Sequence, residues 1–228
     1  LIDYTSTGQL LLPNGGHLPN VCLFSHATKR VYVIAQEPSS TGPAQLYVVD
    51  AQNISDTSSN GVNVSTISGA PTLTNAIAAD INPDEGVIYA LFDTNPLTIG
   101  RFSIGNQSES SSLPPETFEL ASDGYPATLS LQAGEYGALS SMYLNENKTT
   151  LFVACSVDSV APSVIVKIDV DFFNSPATFF TRDSALTLDT AESGVSFRMT
   201  GDEFYLYVVA QTPNPPILVK IDQVSFTR

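Results

Sequence analysis

Four asparagines hold the clearest chemical spacing in this chain. Asn53, Asn63, Asn106 and Asn147 each open an N-x-S/T triplet. Such a triplet accepts an N-linked glycan when it lies on the surface of a secreted chain. With 13 Asn and 47 Ser and Thr in 228 residues, four triplets are close to chance, so their positions must decide. Asn53 and Asn106 follow strand-like runs, Asn63 falls in a polar alternating run, and Asn147 lies in a turn-like tetrapeptide. All four are places where a sugar can point to solvent, and at least two are expected to carry one if a eukaryote secretes the chain.

Other chemistry is sparse. The two histidines, His17 in PNGGHLPN and His26 in HATK, sit in turn-forming contexts and read as solvated residues. The chain has no H-E-x-x-H, no G-x-S-x-G, no phosphate-binding P-loop and no G-x-G-x-x-G. The acid pairs Asp84–Glu85 and Asp202–Glu203 lie between apolar runs, where a solvated turn outweighs acid–base work. The run Asp80-Ile81-Asn82-Pro83-Asp84-Glu85 has the oxygens of a calcium loop without its spacing or its glycine. No catalytic residue, metal site or cofactor is expected. Cys22 and Cys155 fall in different strand types of non-adjacent repeats. A disulfide needs Cα atoms within about 7 Å, so two buried free thiols are expected.

The elements that carry these residues repeat. LYVVD at 46–50, GRFSI at 100–104, IVKID at 165–169 and LVKID at 218–222 form one series, and LID opens the chain. Their register residues Asp3, Asp50, Ser103, Asp169 and Asp222 are spaced by 47, 53, 66 and 53 residues. Upstream runs a second series, RVYVIAQ, GVIYALFD, TLFVACS and YLYVVAQ, each introduced by a polar tetrapeptide: HATK, NPDE, NENK or TGDE. Asn, Asp and Gly between apolar runs favour tight turns. Before the turns lie NVCLF, NAIAADI, ALSSMYL and GVSFRM; after the register residue come GQLLL, VNVSTI, ETFEL and ALTLD.

Each unit of about 50 residues thus reads as four strands, rich in Val, Ile, Tyr and Phe. No sustained 3.6-residue periodicity predicts helix. A single antiparallel sheet cannot bury both faces, whereas sheets stacked around an axis cover one another. The expectation is an all-β fold, a β-propeller of about four four-stranded antiparallel blades. Residues 1–228 form a single propeller domain or segment, with approximate repeats 1–45, 46–98, 99–164 and 165–217, and 218–228 starting the next. The N-terminal GQLLL could close a four-bladed ring; the favoured alternative is part of a six- to eight-bladed ring. A β-sandwich pair or a solenoid is the runner-up. The recurrent Asp is read as an acceptor for backbone N–H groups in the turn that follows.

The segments IVKIDVDFFNSPATFFTRDSALTLDTAE and ILVKIDQVSFTR resemble an extracellular and cell-surface propeller repeat, approximately VVKIDL-x-TF-x-R-x-x-x-LTL-x-x-x-E. The resemblance covers the third and fourth repeats. The second departs from it, with Arg101-Phe102-Ser103 where Lys-Ile-Asp is expected. The resemblance implies large surface or matrix proteins and carries no catalytic residues.

Composition agrees with an extracellular setting. Charged residues are 14% of the chain, and 9 Lys and Arg face 23 Asp and Glu, a net charge of −14. Nucleic acid and anionic membranes are therefore disfavoured partners, and no apolar run approaches the roughly 20 residues that span a bilayer. The start at Leu1, without Met or a basic leader, reads as a mature or excised piece. The expected function is a non-catalytic extracellular module for structural assembly or protein–protein interaction in a surface coat, matrix or filament. A receptor-like ligand-binding propeller is the alternative. A propeller hydrolase or lyase is disfavoured, because such enzymes normally line the channel with several His, Arg and carboxylates and only two His and nine basic residues are available here.

Overall fold

The computed structural model describes residues 18–26, 29–36, 42–50, 62–68, 73–82, 86–104, 118–156, 162–173, 176–190, 197–210 and 215–228. These contain strands, turns and loops and no helix. Strands β1 (Leu18–Ser25), β2 (Arg30–Gln36), β3 (Gln45–Asp50) and β4 (Val62–Ser68) pair in order as one antiparallel meander. A second sheet holds β5 (Ala76–Asn82), β6 (Val87–Phe92), β7 (Thr98–Ser103) and the short β8 (Phe118–Leu120). The third is β10 (Tyr136–Leu144), β11 (Thr150–Ser156), β12 (Val164–Asp169) and β13 (Thr181–Thr187). The fourth has three strands among the described residues: β14 (Phe197–Gly201), β15 (Tyr205–Ala210) and β16 (Ile217–Asp222).

The first strands of the four sheets, β1, β5, β10 and β14, lie beside one another in succession. Among the described residues no extended packing joins β14 back to β1. Three apolar cores fill the spaces between neighbouring sheets. Tyr32, Ile34, Leu46 and Val48 of the first sheet meet Ile88, Ala90 and Phe92 of the second. Tyr89, Leu91 and Ile99 of the second meet Leu151, Val153 and Val166 of the third. Phe152, Ala154 and Ile165 of the third meet Leu206, Val208 and Val219 of the fourth. This is the propeller arrangement that the repeat predicts.

Alternation explains the packing. Successive side chains of a strand point to opposite faces, so a central strand with a neighbour on each side must be apolar throughout. All six residues of β6, VIYALF, are buried. The outer strand β13 alternates between exposed and half-buried positions, as a strand with one free face should.

Three boundaries differ from expectation. The fourth strand of the third sheet begins at Thr181, not Ala185, because the apolar pair Phe179–Phe180 turns inward just before it. An unforeseen strand, β9 (Thr128–Ser130), pairs with β7 beside β8. Strand β8 also runs parallel to β4, with Ile67 opposite Phe118, so the first two sheets are hydrogen-bonded at their outer edge. The N-terminal GQLLL run lies outside the described residues.

Candidate functional site

Two of the predicted glycan sites, Asn63 and Asn147, lie among the described residues. Asn147 is exposed at the tip of the β10–β11 turn. That turn is held by Asn145, whose Oδ1 accepts the Thr149 and Thr150 amides at 2.9 Å each. Lys148, at φ 58°, completes it. Asn63 belongs to the outer strand β4, while Asn53 and Asn106 lie outside the described residues.

His26 is exposed and meets the edge of the Phe24 ring at 4.8 Å; His17 lies outside the described residues. Asp80 directs Oδ2 to the Leu144 amide of the next sheet (2.9 Å) and Oδ1 to the Ile81 amide (2.8 Å). Burial pushes its carboxyl above the usual range against those two hydrogen bonds. Asp202 accepts the Phe204 and Tyr205 amides at 2.9 and 2.7 Å, which lowers its carboxyl. Asp84 and Glu85 lie outside the described residues.

Two of the recurrent aspartates, Asp169 and Asp222, behave as turn acceptors. Asp169 takes the Asp171 amide at 2.9 Å and the Thr178 hydroxyl. Asp222 takes the Ser225 and Val224 amides at 2.8 and 3.0 Å, and these bonds lower its carboxyl.

The cysteines are both free. Cys155 is buried in the core between the second and third sheets, and desolvation raises its thiol far above the ordinary range. Cys22, expected to be buried, is exposed. It alternates with Val21 and Leu23, which pack against the second sheet, so its own side chain points to the opposite face of the first sheet.

Sequence reasoning missed a repeated device at the seams. The first residue of each R/K-[IF]-x strand end is a cation, Arg101, Lys167 or Lys220, and the first two of these reach rings of the following sheet. Arg101 is buried, pairs with Asp123, and stacks on Phe179 and Phe180 of the third sheet at 4.8 and 5.7 Å. Lys167 lies 5.9 Å from the Phe226 ring of the fourth sheet and 3.5 Å from Asp183. Phe180 and Phe226 are equivalent: each opens an F-T-R triplet and each has positive φ, 55° and 52°. The closing arginines also act alike. Arg182 binds Glu135 at 2.6 Å, and Arg228 binds Asp189 at 2.8 Å, each carboxylate standing on the linker into that blade. The doubled FTR at 180–182 and 226–228 was the available signal.

The fourth sheet repeats the first half of this device and leaves it uncovered. Leu206, Val208 and Val219 face the third sheet and are buried. The alternate residues Tyr207 and Val209 are half-buried and Leu218 is 64% exposed. Their equivalents in the third sheet, Phe152, Ala154 and Ile165, are fully buried under the fourth. Lys220 lies 3.5 Å from the ring of its own Tyr205.

A second feature lies where β1, β2 and β5 converge. Pro19, Asn20, Gln36, Asn75, Ala76 and Ile77 line an open pocket of about 430 Å³. The Asn20 amide donates to Asn75 Oδ1 at 2.7 Å, and Asn75 reaches toward Asp93 at 3.5 Å. Amides that both donate and accept suit a polar, uncharged ligand.

No protein-family model and no curated protein sequence matches the chain. Solved structures do. Hydrazine synthase of Kuenenia stuttgartiensis is similar over 98% of this chain and 67% of its own, at 10% identity and TM-score 0.50. TolB of Acinetobacter baumannii is similar over 89% of this chain, at 11% identity and TM-score 0.50. This chain spans 41% of that TolB structure. At such identities the likeness concerns the fold, and both are β-propeller proteins.

Proposed function

We propose that this chain is a non-catalytic extracellular propeller module that serves structural assembly or protein–protein interaction in a surface coat, matrix or filament. The observation that supports it best is the outward face of the fourth sheet. Tyr207, Val209 and Leu218 occupy positions that the preceding blade buries under a neighbour, and here Leu218 is exposed and Tyr207 and Val209 are half-buried. Val224 and Phe204 at the sheet's margin are also exposed. An exposed apolar patch of this kind marks an interaction surface. The extracellular setting rests on the low charge, the four sequons and the resemblance of the VKID repeats.

The test uses native material from the source cells. Intact mass before and after enzymatic deglycosylation should fall by at least two N-glycans, with Asn147 occupied. Chemical cross-linking of the same material should place neighbouring protein near Lys220. Unchanged mass in eukaryotic material defeats the secreted reading.

The amide-lined pocket supports a second reading, a receptor-like propeller that binds a polar ligand. Binding of a soluble glycan that is lost in Asn75→Ala, with the fold intact, would favour it over assembly.

A further inference from the structure

We propose that the seam between the first two sheets holds a binding site for one neutral saccharide residue, built by a strand bulge that turns Asn20 toward Asn75. The inference rests on the receptor-like reading above and names its ligand class.

The site is made by an irregularity that three sheets share. In the first sheet Pro19 pairs with Ala35 and Val21 with Ile34, so Asn20 is an extra residue. In the second Ala76 pairs with Phe92 and Ala78 with Leu91, so Ile77 is extra. In the third Tyr136 pairs with Ser156 and Ser141 with Ala154, with residues 137–140 between them. Counting along the second strand of each sheet from Arg30, Val87 and Thr150, which pair with Asp50, Ser103 and Asp169, places Ala35, Phe92 and Cys155 at one common position. The three bulges therefore stand at the same level of the innermost strand. The fourth sheet is regular there, with Phe197 opposite Ala210 and Arg198 opposite Val209. A bulge re-aims side chains, and bulges recur beside functional sites.

In a regular strand Asn20 would share a face with Cys22 and point away from the second sheet. Instead its Nδ2 donates to Asn75 Oδ1 at 2.7 Å and reaches toward Gln36 Oε1 at 3.5 Å. The third bulge is closed on itself: Ser140 is buried and its hydroxyl donates to the Gly137 carbonyl at 2.8 Å. The first two enclose space. Pro19, Asn20, Gln36, Asn75, Ala76 and Ile77 line about 430 Å³, within the roughly 300–1,000 Å³ of small-molecule sites.

Among the described residues that line the pocket none is charged, so an ionic ligand gains no counter-charge there. Asn20 keeps an acceptor, Oδ1, and Gln36 a donor, Nε2, that the two bonds above do not use. Adjacent hydroxyls of a sugar ring each donate and accept, and match such a pair. Pro19, Ala76 and Ile77 offer apolar surface to the C–H face of the ring. Asp93 Oδ2 stands 3.5 Å from Asn75 Nδ2, outside the lining, and the chain carries a net charge of −14; both disfavour acidic sugars.

Saturation-transfer NMR on the full chain tests this with glucose, galactose and mannose, their uronic acids, and glutamine. At least one neutral sugar should receive saturation and its uronic acid should not. Asn20→Ala and Gln36→Ala should each weaken that binding about tenfold, the loss of one or two hydrogen bonds. Circular dichroism checks that the variants are folded. If they are not, the side-chain amide signals of Asn20, Gln36 and Asn75 in the wild-type chain are read instead and should shift with the sugar. Competition by dextran marks a residue within a polysaccharide as the source, and its absence marks a free sugar. Neutral-sugar binding that neither variant weakens, or that leaves the three amide signals unmoved, overturns the site. Saturation of the uronic acids or glutamine alone overturns the saccharide and leaves a receptor for another polar ligand standing. Saturation of no probe overturns both.

Discussion

Phe226 lies over Lys167, its ring centroid 5.9 Å from the ammonium nitrogen, although the two belong to different sheets. The contact repeats one seam earlier between Phe180 and Arg101, and in both cases the phenylalanine holds a left-handed backbone conformation. A bulky residue at positive φ is costly, and here the turn places its ring across the gap between blades. The cation at one blade's edge and the aromatic turn of the next form a lateral clasp.

Arg101 should be the most sensitive part of that clasp. It is buried, bound to Asp123 and stacked between two rings. Arg101→Met keeps the stem and removes the charge, leaving Asp123 without its cation. The expected loss is about 2 kcal/mol, below the roughly 3–5 kcal/mol of a fully buried pair, because Asp123 is partly solvated. Urea unfolding should show a lower midpoint with unchanged slope.

Gly201 should not tolerate a side chain. A Cβ there would stand 2.7 Å from the Tyr143 ring and 2.8 Å from the Tyr205 carbonyl oxygen. Tyr143 cannot easily withdraw, being packed in the seam between the third and fourth sheets. Burial, with Glu146, Asp80 and Asp202 nearby, also pushes its phenol up to about 12, so it stays neutral at physiological pH. Gly201→Ala should cost roughly 1–3 kcal/mol by overpacking, read as a lower Tm.

Two sets of carboxylates should give opposite pH responses. Burial raises the folded-state Asp80 carboxyl, so its contribution is fully present below the unfolded value and is lost as pH rises through the folded one. Asp80→Asn should therefore gain stability relative to wild type as pH climbs from about 4, the unfolded carboxyl value, toward neutrality. Asp202 and Asp222 are lowered by backbone amides, so their contribution is present above the unfolded value and is lost as pH falls through the folded one. Asp202→Ala and Asp222→Ala should narrow the gap to wild type on acidification. Urea midpoints measured across this range check both signs.

The thiols should separate cleanly. Cys22 is exposed and Cys155 is buried with its thiolate disfavoured. The folded chain at low concentration should react with one equivalent of a thiol reagent and the unfolded chain with two. Two equivalents in the folded state would mean that the second seam opens.

The strands were legible because they obey one rule: a run with neighbours on both faces must be apolar throughout, as VIYALF is, and an outer run need not be. The register Asp was legible for a local reason, since an Asx-type turn needs only its own next few residues. Cys22 was misread because burial depends on what stands opposite a face, and strand pattern alone does not say which face of an inner strand meets the neighbouring sheet. The clasp was missed because its halves lie 59 residues apart for Lys167 and Phe226, and only the repeated FTR triplet hinted that the turn had a fixed task. The glycan positions were read from sequence alone, and of these Asn147 stands exposed in its turn.

The parallel pairing of β4 with β8 has a mechanical consequence. The first two sheets share a stitched rim as well as a greasy interior, so a tug on the chain must shear backbone bonds before they part. The fourth sheet has three strands among the described residues and no strand pairing to the third among them, so it should peel away first. Under load the molecule would yield from its carboxyl-terminal end and keep its opening pair of sheets as the last unit standing.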